Sequence, residues 1–260
     1  MTFRSALILA LGLALGAQTA PGLQPSSIAV TEAYAEDPAL TKVIDPLKAQ
    51  IKATYGLVIA QCPAGLVKGT SSHENELGYW IADAMRERAE KLVGVPVKFG
   101  YTNSGGIRAN IRPGAVKVGD IVEVMPFENE LVVAELTGAE VVAVVKEGLL
   151  HRVVEPVSGV KVATGGTPEH PTLLITWSDG SAIDPEEVVK LATSDYLLAS
   201  SAALKHSRHP FTTGVTLRQV LLDVCAARAS QGKPVVAPAP GRIAVTPELM
   251  QLLKSDKQGN

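Results

Sequence analysis

Apolar positions recur with a helical period over 40–54, where Leu40, Val43, Ile44, Leu47 and Ile51 share one face, and this spacing predicts an amphipathic helix. A strand-like run follows at 56–60. Ser71-Ser72-His73-Glu74 then offers a helix cap, and Leu77, Ile81, Ala84 and Met85 carry a second helix to about Leu92. Lys98-Phe99-Gly100-Tyr101 reads as a short strand, 116–124 as a strand or a short turn of helix, and 130–136 as a β-rich strand. At Thr137-Gly138-Ala139-Glu140 the period changes, opening a helix through Val141, Val144, Val145 and Leu149. Short strands are predicted at 160–163, 173–177 and 188–192, with turns at Gly165-Gly166 and Asp179-Gly180. A further helix spans about 216–229, with Leu217, Val220, Leu221, Val224 and Cys225 as its apolar stripe. Helices and hairpins in this mixed order predict an α+β domain, with a mixed sheet and flanking helices, rather than a doubly wound one. Residues 247–260 read as a flexible tail.

The first 35 residues follow a different pattern. Arg4 precedes the apolar run Ala6-Leu7-Ile8-Leu9-Ala10-Leu11-Gly12-Leu13-Ala14-Leu15, which has no polar face and predicts an export signal with its leader over 1–35. Small residues at Gly16, Ala20 and Ala33-Tyr34-Ala35 leave the cleavage position open. No later apolar run is long enough to span a bilayer, so the expectation is a periplasmic or secreted chain with no membrane span after signal cleavage.

Composition narrows the chemistry. With 260 residues, 46% apolar and 19% charged, the chain can bury a substantial core. A formal net charge of −2 and 4% aromatics argue against a nucleic-acid partner, which requires a basic face. Cys62 and Cys225, the only cysteines, have no metal-ligand spacing and read as separate core thiols. The five histidines, His73, His151, His170, His206 and His209, form no metal motif; His206-x-x-His209 reads as a solvated loop pair without a carboxylate nearby.

Candidate binding chemistry concentrates in Thr102-Asn103-Ser104-Gly105-Gly106-Ile107-Arg108. Adjacent glycines let backbone N–H groups approach a ligand closely. Asn103 can donate and accept in one plane, as the edge of a heterocyclic base requires, and Arg108 presents a forked donor suited to phosphate or carboxylate. Taken alone, the segment reads better as a glycine turn carrying a surface arginine.

The order of motifs decides between these. Glu74-Asn75-Glu76-Leu77-Gly78-Tyr79-Trp80-Ile81-Ala82-Asp83-Ala84-Met85 precedes the loop; Gly119-Asp120, Met125-Pro126-Phe127-Glu128-Asn129 and Leu136-Thr137-Gly138-Ala139-Glu140 follow it. Val157-Ser158-Gly159-Val160, Leu191-Ala192-Thr193-Ser194-Asp195-Tyr196-Leu197 and Gly241-Arg242-Ile243 complete the series. Over roughly 40–243 this order closely resembles the C-terminal domain of the 5'-nucleotidase / UDP-sugar hydrolase family. The resemblance implies a stand-alone domain of that type at 38–246, the half that grips a nucleoside and presents its phosphate to a separate metallophosphoesterase domain. It implies that Asn103 meets the base, that Gly106 and Arg108 lie beside ribose and phosphate, and that Phe127 and Tyr196 sandwich the base.

Three departures qualify that expectation. The Asp-x-His and Gly-Asn-His-Glu-like elements of a two-metal hydrolase are missing from the sequence, so no catalytic residue and no cofactor are assigned to this chain; divalent metals would enter only through a separate catalytic domain. The family's glycine-rich loop with its ribose-binding aspartate reads Ser200-Ser201-Ala202-Ala203 here. The arginine usual before the Glu-x-Asn-x-Gly-Asn-like motif is His73. Three readings follow: a nucleotide- or nucleoside-binding domain without catalysis of its own, a specificity subunit completing a hydrolase with a separate metallophosphoesterase chain, or a protein-docking module that has lost its ligand.

Overall fold

The computed structural model describes residues 27–29, 31, 34–69, 75–151, 153–167 and 169–258. The expected export segment falls largely outside these residues, as do the proposed cap residues 71–74, His73 among them. The chain divides into a unit up to Asp45 and a second from Pro46 onward. Helix α1 (Pro38–Tyr55) crosses that division, and its apolar positions Leu40, Val43, Ile44, Leu47 and Ile51 are all exposed.

From Pro46 on, the elements run β1 (Val58–Cys62), α2 (Glu76–Val93), β2 (Phe99–Tyr101), a single 3-10 turn (Ser104–Gly106), β3 (Gly114–Lys117), α3 (Val118–Val124), β4 (Glu130–Thr137) and α4 (Gly138–Leu149). There follow β5 (Val157–Ser158), β6 (Val160–Gly166), β7 (Pro171–Trp177), β8 (Val188–Ser194), α5 (Asp195–Ser200), β9 (Arg208–Thr216), α6 (Leu217–Ser230), β10 (Ile243–Ala244) and α7 (Pro247–Gln258). The main sheet has five strands in the order β5-β2-β8-β4-β9, with β2 parallel and β4 antiparallel to β8. It is the mixed sheet that the element order predicts, and the fold is α+β. A three-stranded sheet, β10-β6-β7, and the pair β1-β3 complete it.

Two apolar clusters form the core. Neighbouring residues of a strand point to opposite faces, and in β8 Ala192 joins one cluster while Leu191 joins the other. The first cluster gathers Leu77, Ile81 and Met85 of α2 with Val220, Leu221 and Cys225 of α6; the second gathers Phe99 and Tyr101 of β2 with Val141, Val144 and Val145 of α4. Cys62 also lies in the first cluster, so the two buried thiols, both free, share one core. Gly100 lets α2 approach the sheet: a Cβ there would sit 2.8 Å from the carbonyl oxygen of Ala82.

Several sequence motifs turn out to be structural. Arg242 donates two hydrogen bonds to Asp83 (3.0 and 2.9 Å) and one to the Val157 carbonyl (2.7 Å), with its guanidinium 4.8 Å from the centroid of the Tyr79 ring. Ser158 Oγ donates to the same Asp83 at 2.6 Å and accepts from Arg86 Nε at 2.8 Å. A part-buried ion pair with its hydrogen bonds filled thus ties α2 to β5 and to the entry of β10.

Other expectations are corrected. The N-cap of α2 is Asn75, whose side chain accepts from Gly78 N at 2.9 Å, rather than the Ser71–Glu74 stretch. Residues 247–258, expected as a loose tail, form α7, with Leu249 and Met250 buried in the second cluster. His209 lies in β9, not a loop, and its Nδ1 is 2.9 Å from Glu135 Oε2 across the sheet. Bonds from His209 and Lys190 hold the Glu135 carboxyl below its ordinary range. Among the described residues, no helix is long and apolar enough to cross a membrane.

Candidate functional site

Strand β2 ends at Tyr101, and the chain leaves the sheet into the loop 102–108. Its backbone is fastened at both ends: Thr102 N donates to the Pro156 carbonyl at 3.1 Å and Arg108 N to that of Val124 at 2.9 Å. From behind, Ser104 is the anchor. Its N–H donates to Glu155 Oε2, its Oγ donates to the Val154 carbonyl (2.9 Å), and that Oγ accepts from Asn75 Nδ2 (3.3 Å). Glu155 is only 7% exposed, and burial pushes its carboxyl above the ordinary range against the opposing bonds from Ser104 and the charge of His151. On the open side, the Asn103 side chain lies across the two glycines; a Cβ on Gly106 would meet Asn103 Oδ1 at 3.1 Å.

The other wall comes from two elements joined by one carboxylate. Phe127 lies between α3 and β4, while Tyr196 stands in the first turn of α5, whose N-cap Ser194 accepts from Leu197 N. Asp195 Oδ1 accepts from Glu130 N at 3.1 Å and from Tyr196 N at 2.7 Å, which couples the start of β4 to α5. Arg218 of α6 grips the aromatic loop from beneath through the Pro126 carbonyl (3.3 Å) and the Glu128 carboxylate.

Between these walls lies a cavity of about 330 Å³ lined by Asn103, Gly105, Gly106, Phe127, Asn129 and Tyr196. Phe127 is 44% and Tyr196 52% exposed. Aromatic side chains ordinarily gain by burial, so two of them left open around one cavity provide apolar faces for a flat guest. Asn103 and Asn129 bring amide groups to the rim. Of the five residues singled out from sequence, four line the cavity; Arg108 does not, but its Nη1 donates to the Gly105 carbonyl at 3.2 Å. The segment 200–203, which stands where the resemblance implies a ribose carboxylate, is drawn toward α4 instead: Ser201 Oγ and Ala203 N both donate to Glu147, each at 2.8 Å.

Residues 58–204 match the family described as "5'-nucleotidase, C-terminal domain", more than half of the 260-residue chain. The chain belongs to the 5'-nucleotidase C-terminal domain family. Similarity to individual proteins runs the same way. The trifunctional nucleotide phosphoesterase protein YfkN of Bacillus subtilis is 27% identical over 187 residues, 66% of this chain and 13% of that protein. Cell wall protein Lmo0130 of Listeria monocytogenes is 30% identical over 142 residues, 50% of this chain and 18% of that protein. Among solved structures, the 5'-nucleotidase precursor from Thermus thermophilus superposes with a TM-score of 0.65 at 26% identity, over 80% of this chain and 42% of that one. The chain therefore spans less than a fifth of these two curated relatives and under half of the solved one.

The 5'-nucleotidase name raises the question of a metal centre. No group of three or more His, Cys, Asp or Glu side chains gathers among the described residues as metal ligands would.

Residues that the sequence reading did not single out also matter here. Asn129 lies two positions beyond Phe127 in a motif already noted, so its place was within reach. Glu155 and Asn75 act through Ser104, some 50 and 29 residues away in sequence, and local spacing carries no sign of such contacts.

Proposed function

We propose that this chain is an exported nucleotide- or nucleoside-binding member of the 5'-nucleotidase C-terminal domain family, with hydrolytic chemistry supplied from outside the described residues. The observation that carries the reading is the cavity between the open faces of Phe127 and Tyr196, with Asn103 and the Gly105-Gly106 backbone along its edge. A flat heterocycle fits such a slot, stacked on the rings and hydrogen-bonded at its rim, with Arg108 at the side to meet an attached phosphate. Export is favoured by the apolar N-terminal run behind Arg4 and by similarity to a cell wall protein of Listeria monocytogenes. No divalent metal is assigned to these residues.

A second reading is that the domain serves as the specificity half of a hydrolase completed by a separate metallophosphoesterase chain or segment. It is favoured by the solved Thermus thermophilus relative, of which this chain matches 42%. The two readings share one binding site.

Calorimetric titration of the purified protein with adenosine, AMP and UDP-glucose, metal-free and then with Mn²⁺ or Zn²⁺, tests the site. Saturable binding is expected. Phe127→Ala and Tyr196→Ala should each weaken it by roughly fivefold to a hundredfold, at about 1–3 kcal/mol per stacking face, with unchanged circular dichroism. Arg108→Ala should weaken AMP more than adenosine. Absence of binding by all three ligands would leave a docking module as the better description.

A further inference from the structure

The sequence shows His73 where the family resemblance implies an arginine, and this leaves Arg108 as the one cation assigned to a ligand phosphate. The folded chain brings another. Lys68 lies in the segment 66–69, which is stitched to the far end of the binding loop: Leu66 N donates to the Ile111 carbonyl (2.9 Å) and Ile111 N to that of Leu66 (3.0 Å). Lys68 N donates to Asn110 Oδ1 at 2.9 Å, fixing its backbone there. Its partly buried side chain reaches back to the loop, and Nζ donates to the Ile107 carbonyl at 2.8 Å.

Arg108 and Lys68 are therefore tethered to alternate carbonyls of one loop, Gly105 for the guanidinium and Ile107 for the ammonium. Among the described residues neither cation is within ion-pair distance of a carboxylate. Burial and then the nearby Arg108 charge make Lys68 hold its proton less firmly, while Glu155 acts in the opposite sense. The like charges of Lys68 and Arg108 repel each other, and the Glu155 charge opposes this only in part. An ammonium has three N–H donors, and Ile107 uses one, so donors remain for a ligand.

We propose that Lys68 is a second anion-binding cation, forming with Arg108 a subsite for a dianionic phosphate group on the ligand held by the aromatic cavity. The location of that ligand rests on the nucleotide-binding reading; the subsite itself stands on Lys68, Arg108 and the carbonyls that aim them. The pair favours a phosphomonoester dianion over an uncharged nucleoside, because the ligand then relieves the repulsion between the cations as well as pairing with each.

The test compares wild type with Lys68→Gln and Lys68→Arg, titrated with adenosine, AMP and inorganic phosphate, with amide shifts of 105–108 followed by NMR. In wild type AMP should bind more tightly than adenosine, and the preference should shrink as salt is raised. Lys68→Gln should reduce that preference by about tenfold, the order expected for one charge-assisted hydrogen bond, with adenosine affinity unchanged. Lys68→Arg should restore it, which loss of a merely structural tether would not require. Thermal melts of both variants establish that they are folded. An AMP-to-adenosine ratio unaffected by Lys68→Gln overturns the proposal while the cavity reading stands. Phosphate binding that depends on Lys68, in a protein that ignores adenosine, keeps the subsite and discards the nucleoside. Should neither phosphate nor AMP bind, both fall.

Discussion

Glu155 shows how one buried charge can set the geometry of an open loop. Its carboxylate accepts the Ser104 N–H inside the turn that carries Asn103, Gly105 and Gly106. His151, Lys68 and Ser104 favour its ionised form, but burial outweighs them, and its pKa is raised above the ordinary 4.5. A carboxyl whose folded pKa is raised contributes stability that is fully present below the unfolded value and is lost as pH rises through the folded one. The stability of wild type relative to Glu155→Gln should therefore be greatest at about pH 4 and smaller at about pH 7.5, as read by urea unfolding at both. A difference independent of pH would mean that folding leaves this pKa unshifted, and one that grew with pH would mean that it is lowered. At this scale the candidate loop and both aromatics were legible, because residue type and motif order announce them. Lys68, Glu155 and Asn75 were not, since their roles arise from contacts that only the folded chain creates.

Among elements, legibility followed periodicity. Helix α4 was marked by its cap, and the structure has the reciprocal pair: Thr137 N donates to Glu140 Oε2 at 2.6 Å and Glu140 N to Thr137 Oγ1 at 3.3 Å. Strand β9 escaped notice because it lies at the sheet edge, is largely exposed and carries Pro210, so apolar alternation never develops. Helix α5, with six residues, is too short to establish a period. Helix α7 was hidden by its polar composition; Leu249 and Met250 supply the buried contact, and Thr246, whose N–H donates to Thr164 Oγ1 at 2.8 Å, fixes its approach. Leu249→Ala should lower stability by about 2 kcal/mol or more, measured by urea denaturation, whereas a loose tail would leave the midpoint unmoved.

The chain from Pro46 onward is held by two cores on opposite faces of one mixed sheet, while the proposed ligand cavity lies where loop 102–108 faces the β4 and α5 starts. That separation gives the thiols a defined behaviour. Burial, with Cys62 nearby, pushes the Cys225 thiol up to about 12, and burial raises that of Cys62 as well. A thiol-specific disulfide reagent should modify neither in the native protein and both in urea. Rapid native labelling would place at least one of them outside the core.

The same arrangement has an optical consequence. The chain has two tryptophans, Trp80 in one core cluster and Trp177 in the other, and neither lines the aromatic cavity. Indole emission is thus divided between the two faces of the sheet, with one fluorophore on each. Replacing either tryptophan with phenylalanine leaves a single-sided reporter, so the melting of each half can be followed by its own light, while the fluorescence stays blind to a guest between Phe127 and Tyr196.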